Sequence, residues 1–111
     1  MNSKEIFENS EDYPVINICE MCEFLKNKFE GKPVTIQYNS AVNFYMDVED
    51  FNVAEVTIKD GGDKRLFLND GDKDLLFIEK NDIVCVMDVF DNVSIYFKND
   101  DLMQIYNEEG D

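Results

Sequence analysis

Two hydrophobic patterns divide the chain, and the first is helical. Apolar residues that share one face at helical spacing are Ile18, Met21, Cys22, Leu25 and Phe29. Pro14 suits a first helical turn, and Asn17 with Glu20 three residues later has the spacing of a capping box. The pattern predicts a helix over residues 14–31. The polar residues 1–12 that precede it are predicted to form a flexible arm or a short helix.

The second pattern begins at Lys32, where short runs rich in Val, Ile, Phe and Tyr alternate with Asn, Asp and Gly. Such runs are typical of a β meander. The predicted strands cover residues 34–38, 42–49, 53–59, 64–68, 75–79, 83–90 and 93–98. Alternation at Val93, Ile95 and Phe97 predicts a strand with one face in water. Residues 101–111 have the apolar content of a final strand or of one helical turn.

These elements predict a single domain over residues 1–111 of the α+β, mainly β class. We expect the N-terminal helix to pack on a small, strongly bent antiparallel sheet or on a small barrel over residues 32–107, with an extra C-terminal hairpin. The 111 residues leave no room for a second domain, and an apolar content of 44% is enough for a compact core.

The strongest feature of the composition is an excess of negative charge. The chain has 25 Asp and Glu against 10 Lys and Arg, no His, and a formal net charge of -15. The acids are spread over the whole chain and are interleaved with Phe and Tyr, which is typical of a folded acidic surface rather than of a disordered tail. Because phosphate binding needs clustered Lys and Arg, direct binding to nucleic acid is not expected.

The compartment follows from what the chain lacks. No apolar run approaches the length of a membrane span, and the N-terminus has no basic start followed by an apolar stretch, so we expect a cytoplasmic protein that does not enter a membrane. An odd number of cysteines also argues against a disulfide framework. Cys19 and Cys22 have the C-x-x-C spacing of half a zinc site, with Cys85 as a third candidate ligand, but core packing on the apolar helix is favoured.

Other candidate chemistry is weak. Asp70, Asp72 and Asp74 alternate like the start of a calcium loop, but Leu75 and Asn81 stand where an EF-hand needs Gly and Glu. A solvated turn is therefore favoured, and no metal or other cofactor is expected. Without His or a recognisable nucleophile, no pair of carboxylates is singled out for catalysis, so we do not expect an enzyme.

The order of helix, bent strands and late apolar strand pair resembles the Sm-like fold, and the Hfq branch in particular. Residues 24–58 resemble the first Sm region, with an acid-x-Phe-Asn corner at its end, and residues 75–87 resemble the second. The resemblance implies RNA contacts for Phe51, Asn52 and Lys80. Met46 stands where the family has a glycine at its sharp bend, and Asn81 stands where Hfq has a histidine.

The leading hypothesis is a non-enzymatic acidic protein that occludes a basic nucleic-acid-binding surface of a partner protein, as nucleic-acid mimics of the phage anti-defence and anti-CRISPR type do. We expect a monomer or a small homo-oligomer. The partner is expected to be a nuclease or another basic, nucleic-acid-binding protein. The carboxylates expected to contact it are Glu49, Asp50, Asp60, Asp63, Asp70, Asp72 and Asp74.

Two alternatives stay open. In the first, the chain is an Sm-like RNA-binding protein or RNA chaperone, in which a pocket around Phe51, Asn52 and Lys80 overrides the net charge. In the second, it is a structural or assembly subunit whose charge keeps it soluble. Aromatic residues are further candidates for an interface, although ordinary strand packing is favoured for them. They are Tyr38, Tyr45, Tyr96 and Tyr106.

Overall fold

A computed structural model describes residues 14–58 and 62–107, and in this part of the chain one α-helix packs on two antiparallel sheets. The helix is α1 (Met21–Phe29), and the strands are β1 (Val15–Ile16), β2 (Val34–Asn39), β3 (Phe44–Val48), β4 (Asn52–Thr57), β5 (Lys64–Asn69), β6 (Asp74–Glu79), β7 (Ile83–Val89), β8 (Asn92–Phe97) and β9 (Leu102–Tyr106). A six-stranded sheet has the order β1-β7-β8-β9-β2-β3, and a three-stranded sheet has the order β4-β5-β6.

The predicted class, α+β and mainly β, is confirmed. Each of the seven predicted strands has an observed counterpart whose ends differ by two residues or fewer, and the C-terminal segment forms strand β9 rather than a helical turn. The barrel over residues 32–107 is wrong, because β3 and β4 belong to different sheets and do not pair. The chain crosses from one sheet to the other at this point.

The predicted helix over residues 14–31 is also too long at its start. Val15 and Ile16 pair with Met87 and Val86 as a short edge strand of the larger sheet. Asn17 then accepts a hydrogen bond from the backbone N–H of Cys19 at 2.8 Å, which opens a 3-10 turn before α1. Asn17 thus acts as the predicted cap, but the residues before it satisfy their backbone groups on β7 instead of in a helix.

The predicted apolar face of the helix is confirmed for four of its five residues. Buried positions on α1 are Met21, Cys22, Leu25 and Phe29. Their side chains belong to one core cluster with the inner faces of both sheets, including Ile36, Leu66 and Ile95. Burial of each large apolar side chain stabilises the fold by roughly 1.5–3 kcal/mol. The helix therefore shares one core with both sheets.

Strand β8 does not have the wet face that its alternation predicted. Ser94 and Tyr96 are buried as well as Val93, Ile95 and Phe97. Tyr96 lies between Cys85 on β7 and Leu102 on β9, and it forms a second apolar cluster with Cys85 and Met87. The larger sheet is thus apolar on both faces at its centre. The alternation of residues along β8 could not show this, because it depends on the neighbouring strands.

One ion pair lies mostly out of water. The ammonium group of Lys80, whose side chain is 8% exposed, donates a hydrogen bond to Glu55 Oε2 at 2.7 Å. Lys64 Nζ lies 3.3 Å from Glu55 Oε1. The hydrogen bond from Lys80 lowers the pKa of the Glu55 carboxyl. This pair anchors the 3-10 turn at Lys80–Asp82 to strand β4.

Replacing Glu55→Gln should destabilise the fold by about 3 kcal/mol, because it leaves the Lys80 ammonium buried without its carboxylate. The double variant Glu55→Leu/Lys80→Met should recover most of this loss, since it removes both charges. Glu23→Gln, in an exposed pair with Lys26 at 3.9 Å, is the control and should change stability by under about 0.5 kcal/mol. Urea unfolding at pH 7 measures all three.

The pH dependence of the free energy of unfolding is a second test of the Glu55–Lys80 pair. Because the folded pKa of Glu55 lies below its usual 4.5, its stabilisation is fully present above that pH and is lost as the pH falls through the folded value. Equal urea midpoints for Glu55→Gln and for the control would contradict the role assigned to the pair.

Candidate functional site

The crossing between the two sheets places a pair of carboxylates on the surface. Phe51 is fully buried, and two backbone hydrogen bonds hold it: Gly31 donates to the Phe51 carbonyl at 2.8 Å, and Phe51 donates to the Lys32 carbonyl at 3.1 Å. Because Phe51 points into the core, the residues before it, Glu49 and Asp50, lie exposed at the corner.

The turn between β5 and β6 is built by its own side chains. Asp70 Oδ1 accepts hydrogen bonds from the backbone N–H groups of Asp72 at 3.0 Å and Lys73 at 2.9 Å. Asn69 Oδ1 accepts from the N–H of Gly71 at 2.9 Å. The backbone donors of Lys73 and Asp72 lower the pKa of Asp70. The Asp70 carboxylate therefore shapes the turn, while Asp72 and Asp74 are exposed.

The crossing and the turn meet at Gly71. This glycine has φ +88°, and a Cβ placed there would lie 2.9 Å from Asp50 Oδ2 and 3.3 Å from Asn52 Nδ2. Two acidic segments that are 20 residues apart in sequence therefore share one corner of the molecule. We call this surface the acidic corner, and its carboxylates are Glu49, Asp50, Asp70, Asp72 and Asp74.

Of the two remaining predicted partner-binding acids, only Asp63 lies in the described residues, and it is not part of this surface. Asp63 precedes β5, at the opposite end of the three-stranded sheet from the turn at Gly71. Asp60 lies outside the residues that the structure describes. In the described ranges 14–58 and 62–107, no three His, Cys, Asp or Glu residues are grouped closely enough to hold a metal ion.

The RNA pocket implied by the Sm-like resemblance is not open in this structure. Phe51 packs edge-on against Phe29, with ring centroids 6.0 Å apart and planes at 81°, so its faces are closed to a base. The Lys80 ammonium is bound to Glu55. The Asn52 amide donates to the Asp50 carbonyl at 3.1 Å. Each of the three side chains has a structural role instead.

Cys19 and Cys22 were predicted to pack in the core from one helix face, and of these two only Cys22 does so. Cys22 is buried in the main core, and Cys85 is buried in the cluster around Tyr96. Burial raises the pKa of both thiols. The prediction of core packing is wrong for Cys19, which is exposed on the 3-10 turn because the helix begins only after it.

A second surface feature is a cleft of about 380 Å³ beside strand β6, which we call the aromatic cleft. Its apolar walls are Tyr38, Phe77, Ile78, Phe97 and Met103. The Tyr38 ring lies 5.9 Å from Phe97 and stacks at 5.7 Å on Phe44, which is 45% exposed. Phe77 is 53% exposed. Half-exposed rings of this kind leave apolar surface in contact with water.

Carboxylates surround this cleft. The Tyr38 hydroxyl donates to Asp101 Oδ2 at 2.6 Å, and the Asn99 amide donates to the same oxygen at 3.0 Å. Glu79, Asp82 and Lys98 complete the rim. Burial, the hydrogen bond to Asp101 and the charges of Asp101 and Asp82 together raise the pKa of Tyr38 to about 12. The carboxylates of Asp101 and Asp82 therefore lie close enough to act on the Tyr38 hydroxyl.

Most residues of the aromatic cleft were not predicted from the sequence. Of the tyrosines proposed for an interface, only Tyr38 lines it, whereas Tyr45 is 72% exposed on the opposite face of β3 and Tyr96 is buried. Tyr106 is half-buried. Phe77 and Phe97 come from strands in different sheets, and no spacing in the sequence connects them.

Comparison with known proteins adds no further assignment. The chain matches no protein-family model, and neither the curated proteins nor the solved structures include a significant match. The Sm-like resemblance therefore stays a prediction. Within the described residues, no helix has the length and apolar character needed to cross a membrane.

Gly71→Ala tests how the acidic corner is assembled. The change should destabilise the fold by about 2 kcal/mol, because alanine is strained at positive φ and its Cβ displaces the Asp50 carboxylate. Gly62→Ala is the matched control, since Gly62 has φ +71° but open space around its Cβ, and it should lose only about 1 kcal/mol. Equal losses in urea unfolding would show that the turn does not contact Asp50.

Alkaline unfolding tests the raised pKa of Tyr38, to which burial, the hydrogen bond to Asp101 and the nearby carboxylates contribute. The folded pKa of Tyr38 is about 12 against a usual 10, so its stabilisation is fully present below pH 10 and is lost as the pH rises toward 12. The free energy of unfolding should therefore fall more steeply between pH 10 and 12 in the native chain than in Tyr38→Phe. Parallel curves for the two chains would contradict the raised pKa of Tyr38.

Proposed function

We propose that this protein is a non-enzymatic acidic binding protein that occludes a basic, nucleic-acid-binding surface of a partner protein. The observation that carries the proposal is the acidic corner, where Asp50 and the turn bearing Asp72 and Asp74 are held against each other. Carboxylates fixed by the fold can stand where phosphates of a nucleic acid would lie, because both are anionic acceptors for Lys and Arg.

The positions of the ion pairs support the same proposal. Lys28 pairs with Asp88 at 2.8 Å, Lys80 pairs with Glu55 at 2.7 Å, and Arg65 pairs with Glu79. These cations therefore neutralise carboxylates on strands β4, β6 and β7. In contrast, Glu49, Asp50, Asp72 and Asp74 are exposed at the corner, where Lys73 is the cation within the turn. The negative charge is therefore left on a surface that a basic partner can reach.

Occlusion would proceed by electrostatic attraction followed by short-range contact. A net charge of -15 accelerates encounter with a basic surface, and charges more than about 8 Å apart are screened at physiological salt. Only carboxylates that meet the partner directly then add to affinity, so the acidic corner should matter more than the total charge. The RNA-binding alternative gains no support from Phe51 or Lys80, whose side chains are buried.

Two charge-matched variants separate this proposal from a solubilising role. The corner variant carries Asp50→Asn, Asp72→Asn and Asp74→Asn, and leaves the turn-building Asp70 intact. The control carries Glu20→Gln, Glu23→Gln and Asp91→Asn at exposed positions elsewhere. Both raise the formal net charge by three units. Circular dichroism establishes that both are folded.

Tagged native chain and both variants are used to capture proteins from a nuclease-treated bacterial lysate at low salt. We expect the native chain and the control to retain a basic nucleic-acid-binding protein that added DNA or RNA displaces. The corner variant should retain at least about tenfold less, which corresponds to losing three contacts of under 1 kcal/mol each. Equal loss in both variants would assign the effect to net charge alone, and capture of RNA only in untreated lysate would favour the Sm-like alternative.

A further inference from the structure

We infer that the aromatic cleft binds an arginine side chain of the partner protein. This inference rests on the proposed function, and it names the group that anchors the partner once the acidic corner has attracted it. It concerns a surface separate from the corner, built by residues from both sheets. Arginine is among the residues that most often dominate binding energy at protein interfaces.

The shape of the cleft suits a long side chain with a flat end. Its volume of about 380 Å³ lies within the range of roughly 300–1,000 Å³ that is usual for binding pockets. Tyr38, Phe97 and Met103 form the wall on the six-stranded sheet, and Phe77 and Ile78 form the wall on β6. Since β6 is an edge strand of its sheet, an extended segment of a partner can approach this side.

The charges around the cleft favour a cation. Three carboxylates, Glu79, Asp82 and Asp101, stand near two cations, Arg65 and Lys98, so the carboxylates are in excess by one. Glu79 is already paired with Arg65, and Asp101 accepts from Tyr38 and Asn99. The carboxylate of Asp82 is exposed at the rim, where its oxygens can accept from an incoming guanidinium.

The protein already uses this combination once, at Phe77, whose ring also lines the cleft. The guanidinium carbon of Arg65 lies 4.4 Å from the centroid of the Phe77 ring, and Arg65 Nε donates to Glu79 Oε1 at 2.7 Å. An aromatic face and a carboxylate thus hold an arginine together. On the other wall, Tyr38 offers the same combination with Asp82 and Asp101 beside it, while Phe97, which is 8% exposed, packs against the Tyr38 ring.

Arginine fits this arrangement better than lysine. A planar guanidinium stacks on an aromatic ring and presents several N–H donors to a carboxylate at the same time, whereas an ammonium is a compact and strongly hydrated charge. A neutral side chain of the same shape would keep the stacking but lose the attraction to the carboxylates. Charge and shape therefore make separate contributions, which can be measured separately.

The test is an NMR titration of the full ¹⁵N-labelled chain with three blocked tripeptides, acetyl-Gly-Arg-Gly-amide and its analogues with lysine and with citrulline, the neutral isostere of arginine. The arginine peptide should give saturable shifts at amides of residues 77–79, 97–99 and 103, with a Kd on the order of 1 mM. The citrulline and lysine peptides should bind at least about threefold more weakly. Equal binding of the arginine and citrulline peptides would overturn the inference, as would shifts confined to residues 49–52 and 70–74.

Two variants assign the site. Asp82→Asn should weaken binding of the arginine peptide about three- to fivefold, whereas Asp91→Asn, an exposed acid in the turn between β7 and β8, should leave it unchanged. Equal effects of the two variants would mean that the peptide senses only net charge. If the lysate capture depends on the acidic corner but the arginine peptide does not bind at the cleft, the cleft is excluded as an arginine site and the proposed function stands. If the peptide binds at the cleft but the capture does not depend on the acidic corner, the occlusion mechanism is excluded instead.

Discussion

The burial of Phe51 is the constraint on which the rest of the structure depends. Its ring packs against Phe29 at the end of the helix, and its backbone is tied to Gly31 and Lys32 by two hydrogen bonds. These contacts fix the place where the chain leaves one sheet and enters the other. The same contacts turn Asp50 outward and position it against Gly71, so the acidic corner is a consequence of core packing.

Local signals predicted the elements well, because strands and turns are encoded within a few residues. The strand ends were found to within two residues, and Asn17 caps a helical turn as expected. Contacts between distant residues were not predicted. Val15 and Ile16 become a strand only because β7 offers an unpaired edge, and the barrel fails because Phe51 enters the core between two sheets instead of continuing one.

The same distinction applies to the surfaces. The sequence identified Asp50, Asp72 and Asp74 as exposed acids, since turns rich in Asp and Gly are solvated, but it could not show that two turns meet at one corner. It also could not separate Asp70, whose carboxylate binds the backbone of its own turn, from its exposed neighbours. Of the aromatic cleft, only Tyr38 was a predicted interface residue, because Tyr38 and Phe77 are brought together only by the packing of the two sheets.

The proposed function requires that the acidic corner take the place of a nucleic acid on the partner. The most direct measurement is the apparent Kd of the captured partner for a labelled DNA or RNA at increasing concentrations of this protein. The apparent Kd should rise in proportion to the protein concentration and without a plateau, because the two ligands exclude each other. A plateau, or a ternary complex of partner, nucleic acid and this protein, would contradict it.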